Sequence, residues 1–389
     1  MTTASPLKTG RFDLLDQKTV VFGKPAVEVV AAEIAARGVK RLLVGTTHSS
    51  TQRALDIVQV VEAGLTVQVA KRLVAHTPTH SVFGLAEELA EFKPDMLLVV
   101  GGGSAIDACK IASFMVAEGI TTREELIARS MQKGGAPGKA NSGAMRYIAV
   151  PTTLSGAEFG TIGGSVDNFT SVKFGYAAPY FPAEMVIFDP VVASFTPDWL
   201  WLSSGIRAVD HAVEALLSPD ANPFIDGAAL HALTLLSRSL MATKRDPADL
   251  AARQESQFGV WLAAQSVGRV RYGASHGIGH QLGAVGGVPH GHTSCVMLPA
   301  VMRWNAAVTG PQQALIHRVL DPSAPDAATA VANLIAALGL PTTLKEVGIR
   351  EPQFMTIAEL AMANPFVKAN PRPITSPGDI IEIMNLVKG

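Results

Sequence analysis

The chain is poor in the features that would place it in several broad classes. It has only two cysteines, Cys109 and Cys295. Two cannot build a disulfide framework, so a reducing cytoplasm is the expected location. It has no run of the roughly 20 apolar residues that a membrane-spanning helix needs. Its opening, MTTASPLKTGRFDLLDQ, reads as neither signal peptide nor anchor. It has no basic block: 32 Lys and Arg are matched by 33 Asp and Glu, for a formal net charge of −1. Nucleic-acid affinity rests on clustered cations, so no nucleic-acid partner is expected. There is no internal repeat and no low-complexity tail. What remains is 389 residues, 48% hydrophobic and 17% charged. That is enough for two domains with large cores and a cleft between them.

The first half alternates strands and helices. Strand-like runs fall at Thr19–Phe22, Arg41–Val44, Leu65–Leu73, Met96–Val100, Tyr147–Val150 and Met185–Phe188. Helical spacing falls between them at Ala26–Arg37, Ser50–Ala63 and Phe83–Glu91. MLLVV at 96–100 is short, apolar and unalternating, as a strand covered on both faces must be. The alternation predicts a parallel, doubly wound sheet. MLLVV runs into Gly101-Gly102-Gly103-Ser104 and a helix from Ala105 to about Val116. Such a loop exposes backbone N–H groups at a helix N-terminus, where phosphate binds; the plain alternative is a tight turn. Asp107, one turn in, contacts a ligand or simply favours the positive end of the helix dipole. Thr152 and Thr153 follow the Tyr147–Val150 strand and offer hydroxyls to a ribose or diphosphate, or else bond their own backbone. Lys173 reaches a cofactor ribose or ends a strand in solvent. Lys133–Gly143 reads as a surface loop.

After Thr196 the buried-strand pattern stops. Helical stretches follow at Gly205–Leu217, Asp226–Thr243, Pro247–Val267, Ile278–Val285, Met297–Ala307, Pro311–Val319 and Ala327–Leu338, with a last one near Gly378–Val387. Pro219, Pro223, Gly268, Gly273, Pro299 and Pro341 punctuate them. Residues 1–190 are therefore expected to form a Rossmann-like domain and residues 191–389 an all-helical one. The stretch Gly273–Pro299 carries His276, His280, His290 and His292. His276 and His280 are four apart, on one helix face. His290 can fold back after a Gly-rich turn, and His211 lies upstream in GIRAVDHAVEAL. Such a cluster serves metal ligation, proton transfer, or both. His292 reads as a neutral loop histidine.

GGGSAIDACK, PTTLSGAEF, GIRAVDHAVEAL, HGIGHQLGAVGGVPHG and NPRP, in this order, resemble the iron-containing (group III) alcohol dehydrogenase family. The resemblance covers almost the whole chain. It implies a Rossmann-like domain, a helical domain and NAD or NADP in the cleft. It also implies hydride transfer between that cofactor and a carbonyl or alcohol, and often a homodimer. The family's metal is held by an aspartate and three histidines, which map to His211, His276 and His290. The aspartate's position is occupied by Arg207, four before His211. An arginine cannot ligate a cation and is itself charged. Two unit charges about 4 Å apart at an effective dielectric of roughly 20 exchange attraction for repulsion at several kcal/mol. No metal is therefore expected; the alternative is that Arg207 swings away to pair with Asp210 or Glu214 and the three histidines still hold zinc. The maleylacetate reductases, a branch treated as metal-free, share the PTT-x-x-G-x-E pattern and a similar C-terminal motif, so this chain resembles that branch.

The expected reaction is metal-independent reduction of an oxo acid. The diphosphate lies on Gly101, Gly102, Gly103 and Ser104, beside Asp107, and the ribose near Thr152, Thr153 and Lys173. In the family an aspartate after the second strand often receives the adenosine ribose. Here Gly45-Thr46-Thr47 stands there without a carboxylate, so both NADH and NADPH are expected. Arg207 would stabilise the oxyanion and His280 or His276 supply the proton, with His211 and His290 lining the pocket. The alternatives are an iron- or zinc-dependent alcohol dehydrogenase holding its ion on His211, His276 and His290, and a non-catalytic binding protein.

Overall fold

The structure is a computed structural model that describes residues 12, 14, 17–59, 64–71, 73–74, 76–140, 143–170 and 172–389. The end of the helix expected over Ser50–Ala63, residue 72 of the strand expected over Leu65–Leu73, residues 141–142 of the Gly-rich loop and most of the opening segment lie outside the described residues.

Among the described residues there are eight strands: β1 (Thr19–Phe22), β2 (Arg41–Gly45), β3 (Thr66–Val69), β4 (Met96–Gly101), β5 (Tyr147–Pro151), β6 (Ile162–Val166), β7 (Lys173–Ala177) and β8 (Met185–Phe188). Six form one sheet in the order β1-β8-β5-β4-β2-β3, all parallel. Helices α1 (Ala26–Arg37), α2 (Thr51–Val58), α3 (Thr79–Phe92) and α4 (Gly103–Glu118) cover its faces. The unalternating strand pattern is explained by two cores. Leu97 and Val99 pack with α3 and α4 on one face. Leu98 and Val100 pack with α1 and α2 on the other. The chain leaves β2 outward to β3 but leaves β4 the opposite way to β5. A crevice therefore opens at the carboxyl ends of β2 and β4, where doubly wound sheets bind ligands.

Among the elements the sequence did not announce, one pair of strands matters for the site. β6 and β7 form a separate antiparallel hairpin. Its strands, IGGSV and KFGYA, are short and glycine-bearing, which weakens any strand signal. Its turn is closed by Asp167, whose carboxylate accepts the Thr170 N–H at 3.0 Å. Arg123 clamps that carboxylate with two bonds of 2.7 and 2.8 Å. This hairpin is what carries Lys173 into the site.

The second half is helical: α5 (Asp198–Leu217), α6 (Pro223–Arg245), α7 (Leu250–Ala263), α8 (Ala274–Gly286), α9 (His290–Leu320), α10 (Ala327–Ala337), α11 (Phe354–Met362), α12 (Pro365–Lys368) and α13 (Pro377–Asn385). Pro299 does not end a helix, as its sequence position had suggested. It lies buried inside α9, whose one non-helical residue is Thr309, two before Pro311. Packing against the surrounding core offsets the lost backbone bond. α5 is buried nearly all round from Trp201 to Leu217, so every polar group on it must find a partner inside the protein. No helix of the described residues is long and apolar enough to cross a membrane.

Candidate active site

Two loops meet at the crevice. A Cβ placed on Gly102 would lie 2.8 Å from Thr153 Cγ2, and one on Gly103 would lie 3.0 Å from Ser155 Oγ. Only glycine permits this approach of the β4–α4 loop to the loop after β5. Lys110, fully buried on α4, fixes the second loop by donating to the carbonyls of Ala157, Gly160 and Ile162. Thr152 is buried, and its carbonyl accepts the Thr196 hydroxyl at 2.6 Å. Thr153 Oγ1 is buried without a protein partner. Ser104 Oγ accepts the backbone N–H of His76 at 3.1 Å. His76 and Thr77 have φ of 65° and 51°. Two successive non-glycine residues in the left-handed region are strained, and such strain clusters at functional sites. Of the other expected cofactor residues, Thr46 is buried, and Asp107 accepts the Gly164 N–H at 3.1 Å, which ties the hairpin to α4.

The histidine cluster is built on α5, α8 and the start of α9. Periodicity places Arg207, Asp210, His211 and Glu214 along α5. Glu214 sits at the N-terminus of α8 and accepts from Gly273 N at 3.1 Å, Ser275 N at 2.9 Å and His276 N at 3.3 Å. It also holds His276 Nδ1 at 2.7 Å. Asp210 Oδ2 accepts the hydroxyls of Ser275 at 2.9 Å and Ser294 at 2.6 Å. Arg207 donates to the Ser294 hydroxyl at 3.0 Å and lies 3.7 Å from Asp210 Oδ2. The rings of His211 and His276 stack with centroids 5.0 Å apart, and Tyr272 packs 4.5 Å from His276. His280 faces His290 at 6.5 Å and Phe366 at 5.6 Å. His290 Nε2 meets Lys173 Nζ at 2.9 Å. His292 lies apart from this group, against Trp199 at 5.8 Å.

The electrostatics follow from burial. Burial, and then Glu214, push the Asp210 carboxyl up; burial pushes Glu214 up as well. Two adjacent buried carboxyls hold one negative charge more readily than two. Three backbone N–H donors favour the anion on Glu214. His211, His276 and His280 are held well below the usual imidazole range, first by burial. His290 is depressed first by the Lys173 ammonium. The pocket therefore presents neutral imidazoles and two cationic side chains, which suits an anionic ligand or a developing oxyanion.

The structure thus brings Arg207, His211, His276, His280, His290 and Lys173 into one region. Asp210, Glu214 and His276 have ligand atoms within 4.8 Å of one another. Among the described residues, no such group joins His211, His276 and His290. The sequence offers Asp210 and Glu214 only as ion-pair partners for Arg207; their hold on α8 and His276 was missed, because Arg207, Asp210, His211 and Glu214 fall at i, i+3, i+4 and i+7, the stripe that an ordinary solvated helix face shows.

Residues 17–190 match the family model described as iron-containing alcohol dehydrogenase, and residues 201–387 match that of the Fe-containing alcohol dehydrogenase family, C-terminal. The dehydrogenase FUM7 of Gibberella moniliformis is 33% identical over 356 residues, covering 79% of this chain and 81% of its own. A maleylacetate reductase of Sphingobium indicum is 28% identical, with 95% of each chain covered. The crystal structure of maleylacetate reductase from Agrobacterium tumefaciens superposes with a TM-score of 0.82 at 25% identity, covering 98% of this chain and 99% of its own.

Proposed function

The chain belongs to the iron-containing alcohol dehydrogenase family, in its maleylacetate-reductase-like branch, and from that premise we propose that it is a nicotinamide-dependent reductase of oxo acids that works without a resident metal ion. The observation that carries the reading is the pair of fixed cations, Lys173 on His290 Nε2 at 2.9 Å and Arg207 at the position of the family's aspartate ligand.

The donor set does not suit a divalent cation. Glu214 has both oxygens committed to N–H groups. Asp210 Oδ2 is taken by two hydroxyls with a guanidinium beside it. His290 faces an ammonium. Placing a doubly charged ion among these would cost several kcal/mol in repulsion alone. The same charges favour a substrate that brings its own carboxylate, which an arginine can hold through two parallel bonds.

When bound, NAD(P)H supplies the hydride that adds to the carbonyl carbon. The protein's part is to orient and to stabilise charge. Backbone N–H groups of Gly101–Ser104 would hold the diphosphate, and Thr46, Thr152, Thr153 and Lys173 would serve the riboses. Arg207 and Lys173 offset the negative charge that develops on the substrate oxygen. One of His280 and His276 serves the developing charge at that oxygen as hydrogen donor, and His211 and His290 line the pocket. The loop after β2 has no carboxylate to repel a 2′-phosphate, so NADH and NADPH both enter.

A second reading is favoured by one observation. His276 Nε2, His211 Nδ1 and Asp210 Oδ1 are buried without protein partners, and Asp210, Glu214 and His276 cluster. A metal-dependent alcohol dehydrogenase would use such atoms. A panel of oxo acids and matched simple aldehydes, each with both cofactors, tests the proposal. The expected result is reduction of oxo acids at a kcat/KM at least about tenfold above the aldehydes, which corresponds to about 1.4 kcal/mol. The two cofactors should differ by less than about a hundredfold, or about 2.7 kcal/mol. Equal or better use of aldehydes would contradict it. Cofactor binding with no turnover on any member would point to a binding protein instead.

A further inference from the structure

The two histidines on α8 have partners of opposite character. His276 Nδ1 faces Glu214, a carboxylate that already accepts three backbone N–H groups. It can only accept, so His276 carries its proton on Nδ1 and its Nε2 is a bare lone pair. His280 Nδ1 faces the side-chain nitrogen of Asn364 at 3.3 Å. The orientation of that amide is fixed independently. Asn364 Oδ1 caps α12 by accepting the Phe366 N–H at 3.0 Å, and Nδ2 also donates to the Gly277 carbonyl at 3.4 Å. The amide can only donate towards the ring. His280 Nδ1 must therefore be the acceptor, which leaves the hydrogen on Nε2.

We propose that Asn364 is a positioning residue that fixes His280 as the Nε2–H tautomer, so that His280, and not His276, donates the hydrogen bond to the substrate oxygen. This rests on the reductase reading above and settles which of the two imidazoles meets the oxyanion. The neutral imidazole of His290 and the Phe366 ring face it, and the charges of Lys173 and Arg207 and the neighbouring His276 reach it. Those cations disfavour a third positive charge, so His280 acts as a neutral donor. The carbonyl π pair moves to oxygen as the hydride arrives, His280 Nε2–H hydrogen-bonds the resulting alkoxide, and water delivers the proton. His276, with a bare Nε2, cannot make that bond.

Asn364→Asp is the discriminating variant. An aspartate accepts the Phe366 N–H as well as asparagine does, so the cap of α12 survives. Its carboxylate cannot donate to His280 Nδ1. It draws the ring proton to Nδ1 and strips Nε2 whenever the ring is neutral. Nitrogen-15 spectra of the ring, read in the protein without substrate, should show the hydrogen on Nε2 in the wild type and on Nδ1 in Asn364→Asp at alkaline pH. At that pH the variant's kcat for reduction should fall about a hundredfold, the cost of one donor lost at a developing oxyanion, with KM for the cofactor unchanged. Turnover should recover as the pH falls and the ring, now beside a carboxylate, gains a second proton and regains its Nε2–H. A wild-type ring protonated on Nδ1 would overturn the proposal, as would an Asn364→Asp enzyme with unaltered kcat at alkaline pH. Should no carbonyl be reduced at all, the reductase reading fails, and the spectra still decide the tautomer.

Discussion

Arg207→Ala lowers kcat for carbonyl reduction by about a hundredfold to a thousandfold, the loss of one preorganised charge at a developing oxyanion, or roughly 2.7–4 kcal/mol. The size of the effect follows from the surroundings. Arg207 is mostly buried, with 13% of its side chain exposed. Water does little to screen it, and it is held in place by the Ser294 hydroxyl at 3.0 Å. His211 and His276 beside it are neutral, so they cannot replace its charge. The loss is readable as catalysis because the carboxyl left behind need not remain charged. Burial and Glu214 already push Asp210 up, so a proton can take the place of the guanidinium. Thermal melting should therefore change little beside the change in rate. Arg207→Lys should recover part of the activity, as it restores the charge without the planar fork. Steady-state kinetics of the three proteins on one oxo acid make the comparison; kcat for Arg207→Ala within about threefold of wild type, under 1 kcal/mol, would remove Arg207 from the chemistry.

Glu214→Ala is expected to cost about 4 kcal/mol of stability, among the largest effects of a single substitution. Among the described residues the carboxylate is the only acceptor for the N–H groups of Gly273 and Ser275, and it also holds His276 Nδ1 at 2.7 Å. All of these are buried. Truncation leaves each donor without water or protein to replace the bond, and the N-terminus of α8 loses its counter-charge. Since α8 carries both His276 and His280, activity should be lost together with stability. Glu214→Gln retains a carbonyl acceptor and should fall between the two. Urea or thermal unfolding of the three proteins measures this. An alanine variant that unfolds within about 1 kcal/mol of wild type, the size of an ordinary substitution, would show that the N-terminus of α8 is satisfied by other means.

The sheet was legible because its strands are buried on both faces. MLLVV and YIAV carry no polar residue, and that leaves few ways to fold them. The glycine loop after β4 was legible because a buried strand precedes it and a helix follows. Arg207 stood out because the spacing to His211 is fixed on one helix and a cation stood where a ligand belongs. Three things were hidden. The β6–β7 hairpin is short and glycine-bearing, so nothing local announced that Lys173 would reach His290, 117 positions away. Asp210 and Glu214 look like ordinary charged residues because, with Arg207 and His211, they form the polar stripe of an amphipathic helix; only the folded chain shows that this stripe is buried. Asn364 meets His280 across 84 positions, and only the folded chain brings the cap of α12 against α8.

The claim on which the mechanism depends is that Arg207 and Lys173 occupy the electrostatic place of a metal ion. The most direct measurement is metal content and chelator sensitivity of the purified protein, with zinc and iron offered back during assay. The expected result is far less than one equivalent of either metal, and reduction unchanged by chelation or by added metal. One equivalent of zinc or iron, with activity lost on chelation and restored by that metal, would contradict it.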